Sequence, residues 1–325
     1  MGAGLRGRPA AAPRRRRRGG VDAAACEACA ACELTAATTA ALTWVSTDCR
    51  VAREIIGRFL ASGKDVAFTT AAFIAELVMR LTLVKYMGYV NSEESPYRYD
   101  FAADRWTMPP TWKNVPGLDS DDERNDTVAF APKIPDKSYE AVVDLFSRAP
   151  SESYYADCST TIVALHYRAL AEALEKNAFN RTFAGKVATA PAGVQTGNAE
   201  GEFDDPPITG LVTLIPGRDI ASLDELLPGD WVYFENYPDY DETHKGPSAV
   251  WAGEHAVYMG NGEYQGFGVE RQPYDAMVKK MIDNYNGQGI KPGVKARSAV
   301  EDHSGSIGKS IPGITEVRRL KNPVE

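Results

Sequence analysis

Tyr154-Tyr155-Ala156-Asp157-Cys158-Ser159-Thr160-Thr161 passes directly into the apolar-periodic run Ile162 to Leu174. A polar break before such a run marks a helix start, so the spacing predicts a helix from Ser159 to about Asn177 with a cysteine opening it. Asp157 fits the N-cap, its carboxylate accepting from the N–H of Thr160 or Thr161. A thiol at this point meets unpaired helical N–H groups and the positive end of the macrodipole. Both stabilise a thiolate, and the same N–H groups can later hold an oxyanion. Cys158 is therefore the candidate nucleophile.

N-terminal to this helix, Arg50 to Ala61 has helical spacing through Val51, Ile55, Ile56 and Leu60, and Ser62-Gly63 supplies a stop. A second helix is expected over Ala71 to Tyr86. The apolar region Val66 to Val90 that holds it is broken by Glu76, Arg80 and Lys85, so it reads as a buried amphipathic helix and not a membrane span. Residues 91–137 are rich in Pro, Asp, Asn and aromatics, and residues 187–210 in Gly, Pro and Ala; both read as long loops. Tyr139 to Arg148 between them has the spacing of a short helix.

C-terminal to the cysteine helix the period changes. Asp230 to Glu235 alternates, His255 to Met259 is a short apolar run, and Asn261-Gly262 signals a hairpin before Glu263 to Val269. Helices followed by antiparallel strands make the fold class α+β. Residues 46–320 are read as one domain. Residues 1–45 are read as a disordered tail rich in Ala, Gly and Arg, with five consecutive arginines at Arg14 to Arg18. The stretch after those arginines is interrupted by Asp22 and Glu27, which does not suit an export signal.

The 325 residues carry a net charge of −8 and are 44% hydrophobic. No basic stripe lies beyond the first residues, so a nucleic-acid-binding body is not expected and peptide or small-molecule partners are. Five cysteines, at 26, 29, 32, 49 and 158, are not spaced as a disulfide framework. Cys26, Cys29 and Cys32 have a metal-like spacing, but no second ligand pair supports it, and a small-residue tract explains them better. The acidic run Asp119 to Glu123 lacks the glycine and spacing of a calcium loop, so no cofactor or metal is expected. The isolation of Cys158 fits a reducing compartment, and the cytoplasm is the expected location.

A thiol nucleophile needs a base, and four histidines are available. His166 lies two turns along the cysteine helix, too far to reach the thiol. His244 and His303 fall in polar loops. His255 heads a strand, in Gly253-Glu254-His255-Ala256-Val257-Tyr258-Met259-Gly260, which makes it the probable base. Glu254 and His255 are strand neighbours pointing to opposite faces, so one of them faces Cys158 unless a bulge intervenes.

Asp157-Cys158-Ser159, Leu227-Pro228-Gly229-Asp230-Trp231-Val232-Tyr233-Phe234 and the His255 to Gly262 block resemble the three blocks of NlpC-like cysteine peptidases. With Arg53-Glu54-Ile55-Ile56 to Phe68 and Trp251-Ala252-Gly253-Glu254, the chain resembles more closely the spore-coat type of bacterial protein-glutamine gamma-glutamyltransferase. That resemblance implies a papain-like fold, a cysteine helix packed on an antiparallel sheet. It implies calcium-independent acyl transfer from glutamine to lysine side chains of protein substrates, with no membrane or nucleic-acid partner. It carries the nucleophile onto Cys158, an acidic residue onto Asp157 and a catalytic glutamate onto Glu254. The family's histidine falls on Phe267, which cannot accept a proton, so the base moves to His255 or the site is impaired. A hydrolytic amidase and a catalytically silent binding or coat protein are the alternatives. Tyr154, Tyr155, Trp231, Tyr233, Trp251 and Phe267 are either a dry wall around a thioester or ordinary core.

Overall fold

A computed structural model describes residues 49–61, 70–100, 106–119, 127–190, 194–197, 203–204, 210–244, 251–287, 290–298, 300–302, 305–307 and 310–322. The predicted tail, with Cys26, Cys29 and Cys32, and His303 lie outside these residues. The helices are α1 (Cys49–Ala61), α2 (Thr70–Val90), α3 (Ser138–Asp144), α4 (Cys158–Ala173), α5 (Lys176–Phe183), α6 (Tyr240–Thr243) and α7 (Tyr274–Tyr285). The first strands are β1 (Tyr97–Tyr99), β2 (Trp112–Asp119), β3 (Thr127–Pro132), β4 (Tyr154–Ala156), β5 (Val194–Gly197), β6 (Phe203–Asp204) and β7 (Val212–Pro216). They are followed by β8 (Trp231–Glu235), β9 (Gly253–Gly260), β10 (Glu263–Gly266), β11 (Gln272–Pro273), β12 (Glu301–Asp302), β13 (Ser310–Ile311) and β14 (Gly313–Leu320).

Six strands form the main sheet in the order β11-β10-β9-β8-β14-β7, every neighbouring pair antiparallel. Strand alternation divides its side chains between two cores. Trp231, Val257 and Met259 pack with Leu81, Leu83, Ile162 and Leu165 of α2 and α4. Val232, Phe234, Ala256 and Tyr258 pack with Met277 and Met281 of α7. The expected α+β fold, with a cysteine-headed helix on an antiparallel sheet, is present. The Asn261-Gly262 hairpin is a type I′ turn, with φ of 56° and 75°.

Four expectations are corrected. The cysteine helix ends at Ala173, because Leu174 turns to extended backbone at φ −108°, ψ 146°, and a separate α5 follows. The two stretches read as loops carry strands: β2 and β3 from 91–137 join β5 and β6 from 187–210 in a four-stranded antiparallel sheet, and β1 pairs in parallel with β4. Their Pro, Gly and Asn content hides the alternation that marks a strand. Third, α2 is buried from Ala72 to Val90 on most of its faces and is not amphipathic. Fourth, the short helix expected over Tyr139 to Arg148 is α3, which ends at Asp144.

The two buried charges of α2, Glu76 and Arg80, have a structural use. Arg80, 4% exposed, receives support from Glu76 at 2.6 Å and donates to Asp230 Oδ1 at 2.9 Å, and Arg319 of β14 donates to the same carboxylate at 2.6 Å. Burial alone would raise the Asp230 carboxyl, but Arg319 and Arg80 outweigh it and hold it below its ordinary range. Gly229 precedes it at φ +90°, where a Cβ would stand 3.0 Å from the Arg80 backbone. The Pro228-Gly229-Asp230 turn thus ties α2 to the sheet. No described helix is long and apolar enough to cross a membrane.

Candidate active site

Cys158 is the first residue of α4 and is half-buried against the α2–α4 core. The cap before it forms as expected: Asp157 Oδ1 accepts from Thr160 N–H at 2.7 Å, and Oδ2 from the Ser159 hydroxyl at 2.9 Å. Both carboxylate oxygens are occupied by the first turn, so Asp157 holds the helix end in register.

The sulfur sits where the sheet opens. Along β9 the even-numbered residues donate toward β8, as Tyr258 N–H does to Asp230 O at 2.9 Å, so the odd-numbered ones donate toward β10. Pairing with β10 stops at Gly266↔Ala256. The next free N–H on that edge belongs to His255, and it is directed at the Cys158 sulfur together with Ser159 N–H. Asn91, just after α2, fixes the point of departure. Its Nδ2 donates to Gly266 O at 3.0 Å and its Oδ1 accepts from Gly268 N–H at 2.8 Å.

His255 and Glu254 lie on opposite faces of β9, as alternation requires. The imidazole of His255 stacks on Tyr233 at 4.6 Å, and its Nδ1 accepts from the Trp231 indole N–H at 3.0 Å. Indole only donates, so this nitrogen's lone pair is committed and the proton of the neutral ring is on Nε2. Burial, reinforced by the nearby Arg318 charge, pushes the ring down to about 3. These surroundings do not favour the expected role of His255 as base; it is the main-chain N–H of His255 that addresses the sulfur.

Glu254 is 4% exposed and its Oε1 has no hydrogen-bond partner among the described residues. A Cβ on Gly266 would stand 1.9 Å from that oxygen, so glycine there makes the carboxyl's room. Burial holds Glu254 protonated well above the ordinary carboxylate range, with the Lys280 charge opposing. Burial, then the charges of Glu254 and Asp157, likewise push the Cys158 thiol up, and the N–H groups of His255 and Ser159 only partly offset them. Burial and these charges thus oppose the thiolate that the helix terminus alone suggests, and Glu254 is the first of the charged groups that bear on the thiol.

A family model described as protein-glutamine gamma-glutamyltransferase matches residues 123–304, more than half of the 325-residue chain. The chain belongs to the protein-glutamine gamma-glutamyltransferase family. Proteins of that name from Bacillus cereus strain AH820 and Bacillus anthracis strain CDC 684 are 30% identical over 130 residues. The match spans 40% of this chain and 37% of the length of each relative. A transglutaminase structure from Geobacillus stearothermophilus, without its C-terminal extension, is 19% identical with a TM-score of 0.48, over 79% of this chain and 96% of that one.

In this family member, Phe267, where the resemblance places a histidine, is 3% exposed and packs edge-on against Tyr97 at 6.0 Å and Tyr99 at 5.8 Å. Of the six aromatic residues singled out in the motif blocks, Tyr154, Trp231 and Phe267 are core. Tyr233 packs against His255, and burial, then Glu235 and Cys158, push its hydroxyl up. Trp251 lies under the Lys280 ammonium at 5.4 Å. Sequence reasoning missed Asn91, Gly266 and Tyr99. Asn91 and Tyr99 lie in or beside the stretch read as loop, and Gly266 has meaning only with Glu254 placed beneath it. His166 is fully buried with Nδ1 on Ile162 O at 2.8 Å, and His244 is buried with Nε2 on Tyr285 O at 2.8 Å. Among the described residues no group of three His, Cys, Asp or Glu side chains could hold a metal ion.

Proposed function

We propose that this protein transfers the gamma-glutamyl group of a peptide glutamine to a lysine amine, with Cys158 as nucleophile and Glu254 as the single acid–base group. The observation that carries the reading is the buried carboxyl of Glu254, whose Oε1 has no hydrogen-bond partner among the described residues and whose charge is the first to bear on the α4 thiol.

A neutral acid can give a proton from one oxygen while taking one at the other. In the first step the sulfur attacks the glutamine carboxamide carbon and an S–C bond forms. The thiol proton passes to Glu254 Oε1, and the acid's own proton goes to the departing nitrogen, which leaves as ammonia when the C–N bond breaks. Glu254 is again a neutral acid. A neutral lysine amine then attacks the thioester carbon, its proton is taken by Glu254, and the acid returns a proton to sulfur as the C–S bond breaks. The products are an isopeptide and the original thiol. This cycle needs neither a histidine at 267 nor the ring of His255. Asp157 acts as cap and positioning residue, and proteins bearing accessible glutamine and lysine are the substrates.

Incubation with a glutamine peptide and a labelled primary amine tests the reading. Incorporation of label that is lost in Cys158→Ala supports it. Release of ammonia without incorporation points to a hydrolytic amidase. Neither product points to a silent family member, the reading that Phe267 favours.

A further inference from the structure

Tyr99 ends β1, whose parallel register with β4 sets Tyr97 against Tyr154 and Tyr99 against Ala156, two residues ahead of Cys158. The pair is extended by Asp100 N–H donating to Ala156 O at 3.1 Å. Residues two apart on a strand share a face, so the rings of Tyr97 and Tyr99 follow one another along the same side. Tyr97 meets the ring of Tyr154, whereas Tyr99 is level with Ala156, whose side chain is only a methyl. Phe267 supports both rings, and Gly268, at φ +82°, lets the chain pass so close that its Cβ position is 3.5 Å from Tyr99 Cγ.

Three features make the hydroxyl a usable donor. Tyr99 keeps 39% of its surface exposed, so its ring is not sealed in the core. After burial, the charges that bear on its hydroxyl are those of Cys158, Glu254 and Asp157 in that order, all groups of this site. Those influences keep the phenol protonated, and a protonated phenol donates. Tyr233 is tilted against His255, and after burial its hydroxyl answers first to Glu235.

We propose that the Tyr99 hydroxyl donates a hydrogen bond to the oxyanion formed when Cys158 attacks a carbonyl, and is a further catalytic residue of this site. The inference rests on the acyl-transfer chemistry proposed above. The N–H of Cys158, which helix geometry leaves without an intrahelical acceptor, is the second donor. Phe267, in place of the family's histidine, serves as the buttress that aims Tyr99.

The test uses the full chain and p-nitrophenyl acetate, whose acetyl group passes to the Cys158 sulfur as p-nitrophenolate leaves, through an oxyanion that does not depend on a glutamine substrate. Alkylation by iodoacetamide, a displacement with no oxyanion, is measured in parallel. Tyr99→Phe keeps the ring and its packing. It is expected to slow acylation by about 10- to 100-fold, while alkylation stays within about two-fold of the unmodified protein, because an oxyanion donor acts on the former reaction alone. Equal acylation rates, a matched fall in both rates, or no acylation of Cys158 in the parent chain would each overturn the proposal. If the acylation difference holds but labelled amine is never incorporated, the transferase reading fails while Tyr99 retains its role.

Discussion

Glu254 is the residue on which the proposed chemistry turns, and its burial makes a two-sided prediction. Unfolded, its carboxyl ionises near pH ~4.3, whereas the folded protein holds it protonated well above that. Above that pH the unfolded chain binds fewer protons than the folded one, so this group's contribution to stability falls as pH rises. Glu254→Gln cannot ionise. It should melt at a higher temperature than the parent at neutral pH, with the difference vanishing below about pH 4. The same substitution should lower amine incorporation by about 100-fold or more, the scale of a lost acid–base group. A variant that loses activity together with stability would place Glu254 in the structure and not in the chemistry.

At the scale of elements, the α4 N-terminus combines two jobs that substitutions at Asp157 separate. Asp157→Asn keeps a side-chain oxygen for Thr160 N–H, whereas Asp157→Ala removes the cap and should cost about 1 kcal/mol in urea unfolding. Both remove a charge that pushes the thiol up, so in both the Cys158 thiolate should appear at lower pH, followed by its ultraviolet absorbance. The start of α4, its cap and the β9–β10 hairpin were legible in the sequence, because each is written in adjacent residues: Asp157 before Cys158, Asn261 before Gly262. What was not legible depends on distant partners. β14 lies between β7 and β8 although it comes last in the chain, and Asn91 clamps residues 266 and 268 from the end of α2. The sequence put Glu254 and His255 on opposite faces. The proposed choice of Glu254 rests on the end of the β10 ladder at Gly266 and on Trp231 occupying the imidazole, and neither is written in adjacent residues.

Across the whole molecule, the buried Arg80–Asp230–Arg319 link holds the helix layer to the sheet that presents Glu254. Arg80→Ala leaves Asp230 short of a partner in a site with no water access and should cost about 3–5 kcal/mol by chemical denaturation. Because the folded Asp230 carboxyl lies below its unfolded value, its share of stability is in place above about pH 4 and is lost as pH falls through the lower folded value. Acid should therefore loosen the parent more than Arg80→Ala. The account as a whole stands on Cys158 working with Glu254 and without an imidazole base. Incorporation of a labelled primary amine into a glutamine peptide, measured for the parent, Cys158→Ala, Glu254→Gln and His255→Gln, tests it most directly. The expected result is activity in the parent and in His255→Gln, and its loss in Cys158→Ala and Glu254→Gln. Activity that survives in Glu254→Gln and disappears in His255→Gln would contradict it.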